Sequence, residues 1–189
     1  MSSTEFVKQL IYNTLQKGTD GEIEARILTN FTKEMPQVSK TMFYRLVKTV
    51  NCKDSHFKET HDYFIKDSPI RITKNVDGTI IEMCNKNRLG AHVDQWNKSH
   101  RYGVRFCGRH ELGIKEEEKE EMKDWESEVV SVRIKNRASF NQGNFQLDLT
   151  ISRMGSTLEE AEDAPPKYEV ELEYVGEYDV KHTDVVLEK

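Results

Sequence analysis

The chain has 189 residues, room for one domain with short extensions, yet only 36% of them are hydrophobic and 32% are charged; such a balance leaves stretches unpacked or puts the charge into a wet interior and onto helix faces. A net charge of −5 argues against a duplex binder with a basic face, but it leaves room for a small basic site gripping the phosphate end of a nucleic acid. The apolar runs are too short to cross a bilayer, MSSTEFVKQL lacks signal-peptide character, and the scattered Cys52, Cys84 and Cys107 read as reduced thiols of a cytosol-like compartment.

Ser2 and Glu5 have capping-box spacing, and Phe6, Leu10 and Ile11 form a stripe predicting a helix that ends at Gly18. EIEARIL (Glu22 to Leu28) alternates and predicts a strand. Met42, Phe43, Leu46, Val47 and Val50 share a face, so a second helix is expected from about Ser39 to Val50. From about residue 57 onward strand signals dominate: His61 to Ile65, Pro69 to Lys74, Thr79 to Lys86 and Tyr102 to Glu111. After an acidic stretch come Val129 to Phe140, Phe145 to Arg153 and Lys167 to Val175. Asp77-Gly78 and the Gln142–Asn144 segment are hairpin turns. About eight strands with short connections predict an antiparallel meander or barrel. Lys115 to Trp125 is a charge run that reads as a solvated helix face, and Gly155 to Pro166 reads as a polar acidic loop. A last helix begins at Thr183 or Asp184 with little room to finish. Residues 1–189 are therefore expected to form a single domain at the front of a longer polypeptide.

The strands carry the chemistry, because side chains at i, i+2 and i+4 share a face. Glu22, Glu24 and Arg26 line up opposite Ile23, Ala25 and Ile27. Arg133, Lys135 and Arg137 line up opposite Val132 and Ile134. Gln146, Asp148 and Thr150 oppose Phe145, Leu147, Leu149 and Ile151, while Glu169, Glu171 and Glu173 oppose Val170, Leu172 and Tyr174. Three glutamates along one strand face repel each other unless a cation sits among them. Oxygen-only ligands suit Mg2+ or Mn2+, and a neighbouring face of three cations suits a polyanion. One ExE or one RxKxR alone reads as a solvated face. The ordered set, sorted by strand, is what points to a site.

EIEAR, VRIKNRASF with FQLDLTISR, and YEVELEYVGEYD resemble, in that order, the motifs of the triphosphate tunnel metalloenzymes. They are most similar to those of the RNA 5′-triphosphatase domains of large-DNA-virus mRNA capping enzymes. The resemblance covers Glu22 to Gly176 and implies an α+β fold, an eight-stranded antiparallel β-barrel with flanking helices. It implies removal of the γ-phosphate from the 5′-triphosphate end of RNA, with Mg2+ or Mn2+ held by Glu22, Glu24, Glu171 and Glu173. It further implies that Glu169 supports these acids at the tunnel mouth, and that Arg133, Lys135 and Arg137 hold the triphosphate over Asp148 and Thr150. Arg71, Lys86 and Arg105 are implied as substrate-binding cations, and Glu111 as the residue that positions the attacking water. A guanylyltransferase domain in the same or a partner chain, and a location in the cytoplasm or a virion, follow from the same resemblance.

No cysteine is followed six residues later by arginine, which excludes cysteine-phosphatase chemistry, and no GxxxxGK[ST] is present, which excludes a P-loop. Two other readings remain: a tunnel-fold hydrolase of inorganic triphosphate, polyphosphate or thiamine triphosphate, and a non-catalytic phosphate-binding module. His56, His61, His92, His100, His110 and His182 lack ligand spacing, and Trp96 and Trp125 read as packing residues.

Overall fold

The computed structural model describes residues 3–28, 37–94, 103–122, 124–177, 179 and 181. Eight strands form among them: β1 (Gly21–Leu28), β2 (Lys58–Ile65), β3 (Ile70–Asn75), β4 (Ile80–Asp94), β5 (Gly103–Gly113), β6 (Val129–Gln142), β7 (Phe145–Gly155) and β8 (Lys167–Tyr174). They close into an antiparallel barrel in the order β1-β5-β4-β3-β2-β6-β7-β8. The barrel closes where β8 returns to β1, with Glu24 opposite Glu173 and Arg26 opposite Glu171. The expected eight-stranded barrel is the fold observed.

Local chemistry explains the turns. Gly78 takes φ 86, and Asp77 Oδ1 accepts from the Thr79 amide at 2.9 Å, which tightens the β3–β4 hairpin. Gly143, at φ 59, turns β6 into β7. β3 begins at Ile70 rather than Pro69, because proline has no amide hydrogen to give the ladder. Most strands outrun their expected bounds by a residue or more. β2 starts at Lys58, where polar residues on both faces hide the alternation. β4 continues to Asp94 past a register shift between Arg88 and Gly90, a bulge that breaks the two-residue period. Its partner β5 continues to Gly113.

Four helices are described: α1 (Ser3–Leu15), α2 (Lys40–Thr49), α3 (Glu116–Glu121) and α4 (Leu158–Asp163). The first ends three residues before Gly18. α4 corrects the expected loop over Gly155 to Pro166. Thr157 accepts from the Glu160 amide at 3.2 Å, and Glu160 reaches back to the Ser156 amide at 2.9 Å, so two side-chain caps at its N-terminus nucleate one short helix. α3 lies within the charge run as expected, and Trp125 packs edge-on against Tyr63, with Lys74 over its ring at 4.7 Å. The expected residues Ser2, Trp96, His100, Tyr102 and His182, and the helix from Thr183 or Asp184, lie outside the described residues.

The apolar core lies outside the barrel, between wall and helices. Val7, Ile11 and Leu15 of α1 pack on Ile23 and Tyr174, with Phe106 and Phe145 alongside. Phe43 of α2, fully buried, packs with Val38, Leu149, Tyr168 and Val170. The helix α1 seats closely over Gly108, where a Cβ would fall 2.3 Å from Thr14 Oγ1. With the apolar strand faces spent on the helices, the alternate residues must point inward. No helix among the described residues is long and apolar enough to cross a membrane.

Candidate active site

Two acid-bearing strands meet where the barrel closes. The β1–β8 register sets Glu24 beside Glu173, and the β7–β8 register continues around the wall, with Gln146 beside Glu173, Asp148 beside Glu171 and Thr150 beside Glu169. From β7 the wall passes to β6, where Arg137 faces Thr150 and Lys135 faces Ser152. It then reaches β2, where Asp62 faces Arg133. Acids and bases therefore stand in adjacent columns of one interior.

Ion pairs knit these columns. Arg26 contacts Glu24 (Nε to Oε1, 2.6 Å) and Glu171, and reaches Glu169 at 3.5 Å. Arg109 lies 2.7 Å from Glu24 and 3.2 Å from Glu22. Lys86 meets Glu22 at 3.1 Å and also contacts Glu111. Arg137 donates from Nε to Thr150 (2.9 Å), from Nη1 to Asp148 (2.8 Å) and from Nη2 to Glu171 (2.8 Å). That fork fixes its plane. Asp62, with no exposed surface, accepts from Arg133 at 3.0 Å and from Thr73 at 2.9 Å, and Lys135 lies 3.0 Å away.

These environments shift the titrations in opposite directions. Burial opposes the charge of Asp62, but Arg133, Lys135 and Arg71 outweigh it and hold the carboxyl far below its ordinary range. For Glu22 too, burial is outweighed, by Lys86 and Arg109. Burial, moderated by Asp62 and reinforced by Arg133 and Arg137, lowers Lys135 to about 8. Glu173 goes the other way: burial, then the nearby charges of Glu22 and Asp148, push its carboxyl up to about 7. It has no ion-pair partner among the described residues. An acid short of cation beside two other acids is held back from ionising by burial and by like charge.

The sequence matches the family described as "mRNA capping enzyme, beta chain", an mRNA triphosphatase family, over residues 4–184. The chain belongs to this family. Solved structures agree in fold. The Pct1 RNA triphosphatase of S. pombe is 15% identical, with a TM-score of 0.72, over 100% of this chain and 84% of Pct1. A second Pct1 structure, in complex with the Spt5 CTD, has a TM-score of 0.70 at 15% identity over 100% of this chain and 86% of Pct1. The Mimivirus capping enzyme triphosphatase is 16% identical, with a TM-score of 0.62, over 99% of this chain and 96% of that one. Among curated protein sequences nothing matches.

Within this member of the capping-enzyme beta-chain family, the predicted residues fall unevenly. Glu22, Glu24, Glu171, Arg133, Lys135, Arg137, Asp148 and Thr150 all enter the interior network, but the acids are not gathered bare. Arginines bridge Glu24 to Glu171 and Glu22 to Glu24, so the four expected metal ligands do not form a preassembled cluster. Among the described residues, the group whose ligand atoms lie within 4.8 Å of one another is instead Glu82, Cys84 and Glu111. Glu169, expected at a tunnel mouth, is 4% exposed and takes a hydrogen bond from Ser152. Arg71 pairs with Glu82, and Glu111 pairs with Lys86. Arg105 has no ion pair among the described residues, and its buried Nε lacks a hydrogen-bond partner. Sequence reasoning missed Asp62, Glu82, Ser152 and the bridging roles of Arg26 and Arg109. The alternation Thr60, Asp62, Phe64 mixes polar and apolar side chains, so Asp62 gave no pattern to follow.

Proposed function

We propose that this family member hydrolyses the γ-phosphate of triphosphate-ended RNA in a reaction dependent on Mg2+ or Mn2+. The observation that carries this is the pairing of Glu24 with Glu173 at the barrel closure, in the same interior as the Arg133, Lys135 and Arg137 bank. A non-catalytic phosphate binder gains nothing from the acids, whereas a phosphoryl-transfer site needs both charges.

The donor set fits a hard divalent cation. Glu22, Glu24, Glu171 and Glu173 offer only oxygens, Glu173 has no ion-pair partner among the described residues, and Glu24 Oε1 and Glu171 Oε1 are both met by Arg26. These four residues would hold the metal. When bound, it would supply positive charge against the charge that develops on the phosphate.

Arg133 and Arg137, with fixed guanidinium planes, and Lys135, as a point charge, bind the remaining phosphate oxygens. Asp148 and Thr150 orient Arg137, and Asp62 anchors Arg133 and Lys135. Arg105 and Arg71 extend the cationic lining. Glu111, once Lys86 turns to the phosphate chain, orients a water for in-line attack. No side chain acts as a covalent nucleophile. The free Cys52, Cys84 and Cys107 fit a reducing, cytoplasmic setting. The Mimivirus relative is the triphosphatase domain of a trifunctional capping enzyme, which supports a guanylyltransferase acting next, in the same or a partner chain.

The test is phosphate release from γ-labelled triphosphate-ended RNA, tripolyphosphate and thiamine triphosphate, each with and without Mg2+ or Mn2+. The expected result is metal-dependent release from RNA with kcat/KM at least tenfold above either small substrate. Release from the small substrates alone would overturn the RNA assignment, and release from none would overturn the enzyme.

A further inference from the structure

One arginine sits on the acids proposed to take the metal. Arg109 on β5 stands directly across the sheet from Glu22 on β1. Its Nη1 lies 3.2 Å from Glu22 Oε1 and 2.7 Å from Glu24 Oε2, with the side chain 15% exposed. The other two cations touching these acids are engaged elsewhere: Lys86 also contacts Glu111, and Arg26 also contacts Glu169 and Glu171. The ion pairs of Arg109 among the described residues are with Glu22 and Glu24 alone. Next to them Glu173, opposite Glu24, has no ion-pair partner among the described residues.

A guanidinium and a divalent cation draw on the same carboxylate lone pairs, and two such charges held within a few ångströms repel each other. We infer that Arg109 is the resident counter-ion of the metal site: it holds Glu22 and Glu24 together in the metal-free protein and gives them up when the metal binds. This rests on the metal-dependent reading above. Arg109 thereby sets how tightly the site takes a cation. Released from the acids, its guanidinium becomes a donor for phosphate oxygens, so the triphosphate and the metal strengthen each other's binding. In the metal-free protein the residue positions the carboxylates; once released it contacts the phosphate itself.

Direct Mn2+ binding tests this without turnover, by following the loss of the free Mn2+ paramagnetic resonance signal as the full chain is titrated. Arg109→Gln is expected to bind Mn2+ at least tenfold more tightly than the unmodified protein. Arg109→Lys, which keeps the charge but reaches one carboxylate at a time, should fall between them, and Glu24→Gln should lose binding. Adding tripolyphosphate should tighten Mn2+ binding to the unmodified protein more than to Arg109→Gln. Equal or weaker binding by Arg109→Gln, with Glu24→Gln still losing it, would overturn the role of Arg109 and leave the metal reading intact. Absence of Mn2+ binding by the unmodified protein at millimolar metal would overturn both. If Arg109→Gln does not fold, Arg109→Lys carries the comparison: tighter binding supports the role, and equal or weaker binding overturns it.

Discussion

Lys135 is buried among arginines, and its ammonium is kept only because Asp62 lies 3.0 Å away. Lowered to about 8, it carries its desolvation cost in full below that pH. The native state sheds the cost between about 8 and the ordinary lysine value of 10.5. Function moves the opposite way, because the neutral amine no longer draws a phosphate oxygen. KM for triphosphate-ended RNA is therefore expected to climb above about pH 8, and Arg at position 135, charged throughout, should flatten that rise. A pH series of KM and kcat on both proteins checks this. Asp62 is the complementary case. Asp62→Ala strands Arg133 and Lys135 beside each other, and breaking a buried pair of this kind costs about 3–5 kcal/mol, measurable by denaturant unfolding. At this scale the sequence was legible where one strand face carried one sign, as in Arg133, Lys135 and Arg137. It was opaque for Asp62, whose partners arrive from β3 and β6, distant in sequence.

Among the elements, α4 shows what local sequence hides. GSTLEEAEDAPP has loop composition, yet Thr157 caps the Glu160 amide, Glu160 caps the Ser156 amide, and a helix starts. The helix lies so close to β7 that a Cβ on Gly155 would fall 2.5 Å from the Ala161 amide nitrogen and 2.6 Å from the Glu160 carbonyl carbon. Gly155→Ala should thus destabilise by about 1–3 kcal/mol through overpacking. Thr157→Ala should cost about 1 kcal/mol through the lost cap. For a chain of this size each 1 kcal/mol lowers Tm by roughly 2–4 °C, and calorimetry separates the two variants. Strand existence was readable from alternation, and so was the α2 face around Phe43. Strand ends were less so: the bulge after Arg88 and the two-sided polar start of β2 erase the period that would have marked them.

For the molecule as a whole, the fold inverts the usual globular plan, with apolar packing outside the sheet and charge within. That inversion follows from alternation once the sheet closes, since α1 and α2 each cover an apolar patch on the outer face of the strands. The closing pair, β1 with β8, joins the two ends of the barrel chain. The acids on each strand were visible in sequence, but their meeting depends on register, which the sequence carried only through a motif resemblance. Arg26 and Arg109 were likewise visible as residues and hidden as bridges, because an arginine's partner is set by which strand closes next to it. The central claim is that the acids joined at this closure, together with the β6 cations, make the barrel interior catalytic. The most direct test compares Mg2+- or Mn2+-stimulated phosphate release from triphosphate-ended RNA by the unmodified chain and by Glu24→Gln and Glu173→Gln, with circular dichroism reporting the fold of each. The account expects both variants to keep the barrel and lose roughly 100-fold or more in kcat, in line with the loss of charge stabilisation at a phosphoryl-transfer centre. Folded variants that release phosphate at the unmodified rate would contradict it.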